Sequence, residues 1–303
     1  MKFEQLKDDR IMADQRASSI IEKLKKDSVF LGDIARIEQG SKSGKNTVFT
    51  ITNELAEKIG IEKAVLRRNL KNGDIERYAI RDRGNSLIYV DNHTDIKIYP
   101  KAYSYLKLHK DTLQDRNGVA SGLYPWFRFD RPRNKEIFDA KEKIIVPYRA
   151  EKNRFAFDNE QYFNDGGDIR AIVITDKKTN IKYVLSLLNS KLIDLFYGFI
   201  GKPKGKVREY LNKPLSLIPI KKISPAVQEQ FIILVDQIIA AKRQNPDAFT
   251  LPLEARIDGL VAHLYGLTEE EFLYVLSQLF LPDPERVAAA NAYRDVERGL
   301  KNE

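Results

Sequence analysis

The spacing of apolar residues changes twice along this chain, and those changes restrict its fold more than any other feature. Residues 3–26 carry Phe3, Leu6, Met12 or Ala13, Ala17, Ile20, Ile21 and Leu24 at the repeat of one helix face. The period then shortens. Leu31, Ile34 and Ile37, followed by a glycine-rich turn over 40–44, predict a short strand, with 48–51 as the returning strand. Apolar runs at 87–90, 144–146, 154–157 and 171–174 alternate with turn clusters and one helix near 100–110. The helical period returns over 181–200 (Tyr183, Val184, Leu187, Leu188, Leu192, Leu195, Phe196), and a Gly/Lys/Pro loop over 201–206 follows. Ser224 and Pro225 offer an N-cap and a first-turn proline. Thr268 with Glu271 makes a capping box, stapled by Leu267 and Phe272, and Asp283-Pro284 opens a last polar helix. The expected class is α+β: an N-terminal helix (1–27), a mixed α/β body (28–222) and a C-terminal helical segment (223–303). The helices over 3–26 and 225–280 are expected to pack together.

Composition narrows the function. The chain has 303 residues, 43% hydrophobic and 31% charged, with a formal net charge of +8 and no cysteine. Disulfide scaffolds, Cys-ligated zinc, iron–sulfur clusters and thiol catalysis are therefore excluded. The charged segment 2–10 does not read as a secretory signal, and no apolar run approaches the ~20 residues of a membrane span, so a cytoplasmic protein without membrane contact is expected. A pI near 9.3 fits a polyanionic partner. The positive charge is local: residues 198–222 hold seven cations against Glu209, whereas 264–303 hold four cations against eight acids.

No catalytic constellation stands out. His93, His109 and His263 lie far apart, and no Gly-x-Ser-x-Gly elbow occurs. The segments 40–46 and 201–207 imitate a phosphate-binding loop. Each has three residues between its glycines rather than four, and neither has a hydroxyl after the lysine for magnesium. Glu-x-Lys is absent, and Asp-x-Lys occurs at Asp95, Asp139 and Asp176 without an upstream Pro-Asp partner. Asp165-Gly-Gly-Asp168 reads as a strand-connecting turn. A methyltransferase glycine loop and an Asn-Pro-Pro-aromatic element are also missing. No catalytic residue and no metal ligand is assigned.

Three segments can instead read a polyanion. The first holds Lys42 and Lys45 in a glycine-rich loop, where backbone N–H groups can approach phosphate. The second, 124–134, contains Trp126, Arg128, Arg131 and Arg133. The third holds Lys202, Lys204, Lys206 and Arg208 between and beside Gly201 and Gly205. Arginine can bridge two acceptors on a guanine edge, whereas lysine acts mainly as a point charge on phosphate. Core packing is the more ordinary use of Trp126, Phe127 and Phe129, and a solvated loop is the ordinary use of the lysines.

The order of these segments resembles a known family. Residues 31–40 resemble the opening strand and turn of restriction–modification specificity domains. The succession Tyr99 to Leu106, Trp126 to Arg133, Lys143 to Pro147, Arg154 to Phe157, Tyr162 to Asp165 and Tyr183 to Leu192 is similar to the TaqI-like C-terminal specificity domain. The segment 260–271 resembles the element that often closes such chains. The likeness covers about 29–275 and is strongest at Leu187-Leu-Asn-Ser-Lys191.

That resemblance implies a target-recognition domain of adenine-N6 DNA methyltransferases or type IIG restriction–methylation enzymes, which clamps double-stranded DNA and selects a short sequence. S-adenosylmethionine, with magnesium as an option, would belong to an attached or partner methyltransferase domain and not to this chain. The chain is then either a segment of such an enzyme or a stand-alone specificity subunit. Base-reading residues vary with the target in this family, so none carries across. Two other classes stay open: a protein–protein scaffold with incidental DNA affinity, and a metal-dependent nuclease with an unrecognised site.

Overall fold

In the computed structural model, which describes residues 15–302, the chain opens with α1 (Gln15–Lys25), β1 (Ser28–Phe30), α2 (Leu31–Ile34), β2 (Ala35–Gln39), α3 (Asn46–Phe49), β3 (Thr50–Thr52), α4 (Asn53–Ile59), β4 (Leu66–Leu70) and β5 (Asn85–Ile88). Two expectations fail here. Residues 31–34 form one helical turn, because the Asp33 carboxylate accepts the Phe30 N–H (3.1 Å) and folds the chain back. Residues 46–49 are also helical, and β3 pairs with β5 rather than returning along β2. The glycine turn over 40–44 thus carries the chain between sheets.

The middle of the chain supplies α5 (Pro100–Leu108), α6 (Lys110–Gln114), α7 (Asn117–Ala120), α8 (Lys135–Phe138), β6 (Lys143–Pro147), β7 (Arg149–Ala150), β8 (Ala156–Asp158), β9 (Phe163–Asn164) and β10 (Ile169–Ile174). Strands β2, β10, β6 and β8 form an antiparallel sheet in that order. Its alternation separates two cores. Ile145, Ile169 and Ala171 face a core built from residues 48–171, while Ile144, Val146 and Ile172 face the helices beyond 180.

Those helices are α9 (Ile181–Asn189) and α10 (Lys191–Ile200), then β11 (Lys202–Lys204), β12 (Val207–Glu209), α11 (Asn212–Ser216), β13 (Pro219–Lys221), α12 (Pro225–Gln244), α13 (Leu251–Leu264), α14 (Glu269–Gln278) and α15 (Asp283–Asn302). The single helix expected over 181–200 is two, bent by 72°. Ser190 breaks it by accepting the Ile193 N–H, which starts α10. Asn189 meanwhile bonds both backbone groups of Phe155 (2.9 Å each), and the Lys191 N–H reaches Asp258 (2.8 Å). The Leu-Leu-Asn-Ser-Lys stretch is this corner, stitched to two other segments.

Downstream, the caps fall where the residues place them. Ser224 accepts from Val227 and starts α12, and Thr268 with Glu271 forms the capping box of α14. Helix α1 docks on that cap: Ser19 and Lys23 both bond Glu271 (2.8 and 2.5 Å), and Ile20 and Leu24 enter the shared core. The part of the N-terminal helix expected over 3–14 lies outside the described residues. Among the described residues no single helix is long and apolar enough to cross a membrane. The apolar α9–α10 pair lines the core.

Candidate nucleic-acid interface

One end of the four-stranded sheet gathers all three basic segments. Gln39 at the end of β2 pairs with Arg170, and Pro147 at the end of β6 pairs with Ile169. The loops after 39 and 147 and the turn before 169 therefore leave together. Lys42 and Arg131 meet there across an antiparallel bridge, exchanging backbone bonds of 3.1 and 2.8 Å. Arg133 donates to the Gly40 carbonyl (3.1 Å). The expected 201–206 loop is instead a hairpin, β11–β12, added to Arg149–Ala150 of β7 beside this end. Gly205 supplies the positive φ of its two-residue turn, and Pro203 sits on the outer strand, where no ladder N–H is needed.

A buried cation locks the first two loops together. Arg116, 7% exposed, donates to the carbonyls of Leu113 (3.0 Å), Ser43 (2.5 Å), Arg128 (2.8 Å) and Trp126. Its guanidinium lies 5.4 Å from the Phe49 ring centroid and 5.3 Å from that of Tyr124. Burial pushes its pKa down from the usual arginine value. From the other side Asp165 accepts the Ser43 N–H (2.8 Å) and hydroxyl (2.6 Å). Burial raises the Asp165 carboxyl, and the Ser43 bonds act against that rise. The Asp165-Gly-Gly-Asp168 turn is a turn indeed, with φ of +115° at Gly166 and +69° at Gly167.

The candidate residues divide by exposure. Lys42, Arg131, Lys204 and Lys206 are exposed, and Lys45 is half-buried. Arg131 pairs with Asp130 at 3.7 Å. Lys202 pairs with Glu209 at 3.2 Å. Arg208, expected on the basic edge, turns inward: it pairs with Asp194 and donates to the Tyr210 hydroxyl (3.0 Å) and the Asp194 carbonyl (2.8 Å). Arg128 folds back over the Tyr124 ring (4.4 Å) and bonds Asn92 and the Phe129 carbonyl. Trp126 is half-buried against Tyr103 and Phe127, and Phe129 is fully buried. Residue-by-residue reading missed Arg116, Arg149 and Arg170, single arginines in stretches with no motif.

Among the described residues no group of three or more His, Asp or Glu side chains can hold a metal. The Asp-x-Lys carboxylates serve locally: Asp95 accepts from Lys97, Asp139 pairs with Lys135, and Asp176 accepts the Thr179 hydroxyl.

Known proteins resemble this chain in family and in fold. The model of the TaqI-like C-terminal specificity domain matches residues 68–220. The chain is 24% identical over 251 residues to the type II methyltransferase M.BanIII of Aneurinibacillus aneurinilyticus, covering 78% of this chain and 42% of that protein. It is 31% identical over 145 residues to the type II methyltransferase M.HincII of Haemophilus influenzae, covering 45% of this chain and 29% of that protein. The chain thus spans less than half the length of either relative. The type IIL restriction–modification enzyme MmeI, solved in complex with DNA, shares the fold with a TM-score of 0.56 at 12% identity, over 88% of this chain and 35% of MmeI.

Proposed function

This chain belongs to the TaqI-like C-terminal specificity domain family, and we propose that it selects the DNA sequence on which a restriction–modification methyltransferase acts. The observation that carries the proposal is the pairing of Lys42 with Arg131. Two cationic loops, distant in sequence, are joined by backbone bonds into a narrow ribbon and held from beneath by Arg116. A two-stranded ribbon has the width of the major groove, where each base pair presents a distinct pattern of donors and acceptors. Rigid mounting matters because a bidentate arginine contact tolerates little angular error.

The remaining roles follow the division between contacts that position and contacts that specify. Lys45, Lys204 and Lys206 neutralise phosphates, and Arg131 reads bases in the groove. Arg128 and Trp126 support the ribbon from behind. The body over 28–222 holds DNA, while α1 and the segment 223–303 present the face on which the catalytic domain sits. That partner supplies S-adenosylmethionine, the adenine-N6 chemistry and any magnesium, and the system works in the cytoplasm beside the chromosome.

The test is equilibrium binding of the full chain to a random-sequence duplex pool, followed by competition between the enriched duplex and a scrambled one. The proposal expects at least a hundredfold preference for the enriched duplex at near-physiological salt. Equal affinity for both would favour the scaffold reading. Plasmid cleavage by the chain with magnesium alone would favour a nuclease.

A further inference from the structure

Arg170 is the one described arginine with both a nearly buried side chain and a buried Nε without a hydrogen-bond partner; the residue is 5% exposed. Among the described residues its one side-chain hydrogen bond is a 3.5 Å contact from Nη1 to the carbonyl of Ile169. Strand alternation turns it to the same side as Ile172, where it lies 5.0 Å from the ring centroid of Tyr148. Arg149 covers the same ring at 4.8 Å. Glu209, the carboxylate whose charge acts on Arg170, is already engaged by Arg149 (2.6 Å), Lys202 (3.2 Å) and the Tyr148 hydroxyl (3.0 Å).

Arg133 lies close enough for its charge to act on Arg170. Among the described residues its side chain makes one hydrogen bond, from Nε to the Gly40 carbonyl. Its Nη2 borders Gly167, where a Cβ would come within 3.3 Å of it and within 2.9 Å of the Gln39 amide. Glycine at 167 therefore leaves room for the Arg133 and Gln39 side chains to pack against its backbone. Burial lowers the pKa of both arginines. Arg133 adds to that effect at Arg170, as Arg131 does at Arg133. Among the described residues neither Arg133 nor Arg170 forms an ion pair with a carboxylate. Two like charges held together and desolvated, with Asp130, Glu38 and Glu209 acting on them only from beyond ion-pair distance, form an unfavourable arrangement unless an anion completes it.

We propose that Arg133 and Arg170 form a binding site for one phosphate oxyanion, which, on the DNA-recognition reading above, is a backbone phosphodiester next to the bases read by Arg131. The two guanidinium groups offer planar, paired N–H donors that match phosphate oxygens, and the site lies at the sheet end from which the Lys42–Arg131 ribbon projects. A phosphate seated there fixes the register of the ribbon along the duplex without itself carrying sequence information.

The test uses the full chain and its selected duplex, with a neutral methylphosphonate placed at each backbone position in turn. Arg170→Gln and Arg133→Gln are each expected to lower the slope of log affinity against log salt by ~0.9 and to weaken cognate and scrambled duplexes alike. Arg170→Lys should keep the slope. One methylphosphonate position should weaken the native protein about tenfold and leave Arg170→Gln unaffected, a coupling that general loss of structure cannot produce. Melting curves of each variant give the folded fraction. If the native protein binds DNA and the variants retain both the slope and the methylphosphonate pattern, the phosphate site is wrong and the DNA reading stands. If the native chain binds no duplex, the DNA reading fails, and inorganic phosphate decides the site. Stabilisation of the native protein that is absent in both glutamine variants supports the site, and equal response overturns it.

Discussion

Replacing Arg116 with methionine should separate sequence discrimination from plain DNA affinity. The guanidinium donates to four carbonyls drawn from residues 43, 113, 126 and 128, so the substitution leaves those acceptors without their partner. At a net value of about 1 kcal/mol for each bond, the loss approaches 4 kcal/mol. The adjoining cleft of about 330 Å³, lined by Lys42, Lys45 and Arg116, can admit water to some of these carbonyls, which brings the expected loss nearer 2 kcal/mol. At roughly 2 °C per kcal/mol for a chain of this size, Tm should fall by roughly 4–8 °C. The ribbon should loosen because its underside is no longer tied to 113 and 126. Lys42 and Arg131 remain exposed and charged, so affinity for a scrambled duplex should change less than threefold, while the cognate preference drops about tenfold. Calorimetric unfolding and competition binding measure the two effects. An unchanged Tm, or cognate and scrambled affinities falling in parallel, would refute the role given to Arg116.

The hairpin gives a second outcome: Lys202→Ala, Lys204→Ala and Lys206→Ala together should flatten the salt slope by about two units, because Lys202 already serves Glu209. A slope unchanged between 50 and 200 mM salt would place the DNA path elsewhere. The same hairpin should be acid-sensitive. The hydrogen bonds from Arg149, aided by Lys202 and Tyr148, hold the Glu209 carboxyl down to about 2 from its ordinary 4.5, so the stabilisation is present above the ordinary value and is lost as pH falls through about 2. Amide exchange at 202–209 should rise over that window in the native protein and be fast at all pH values in Glu209→Gln; protection independent of pH would contradict this. The chain alone should take up no S-adenosylmethionine, and saturable heat on titration of the pure protein would show otherwise.

Local chemistry was legible and long-range chemistry was not. Ser224, Thr268 and Glu271 act within one helical turn, so their roles follow from spacing alone. Ser190 carried the same kind of signal, but the apolar repeat continues past it on both sides and hides the corner. The Gly205-Lys206 turn was a readable hairpin signal, masked by the lysines around it. Arg208 and Lys204 look alike in a basic run; pairing with Asp194 separates them, and that contact depends on the position of α10. Arg116 follows Gln114 and Asp115 and has the local look of a solvated cation. Its burial requires carbonyls from three segments to converge, which no window of sequence contains. Arg131 and Lys42 were both candidates by charge, yet their meeting joins loops far apart in sequence, which no window of sequence contains.

The most direct test is to select binding sites from a random duplex library with the native chain and with a Lys42→Ala/Arg131→Ala variant in parallel. The native chain should enrich one short sequence. The variant should keep salt-dependent binding but lose or relax at least one position of that sequence, with ~1–3 kcal/mol of discrimination lost for each bidentate base contact removed. Enrichment of the identical sequence, with the same preference at every position, would contradict the assignment of sequence reading to the Lys42–Arg131 ribbon.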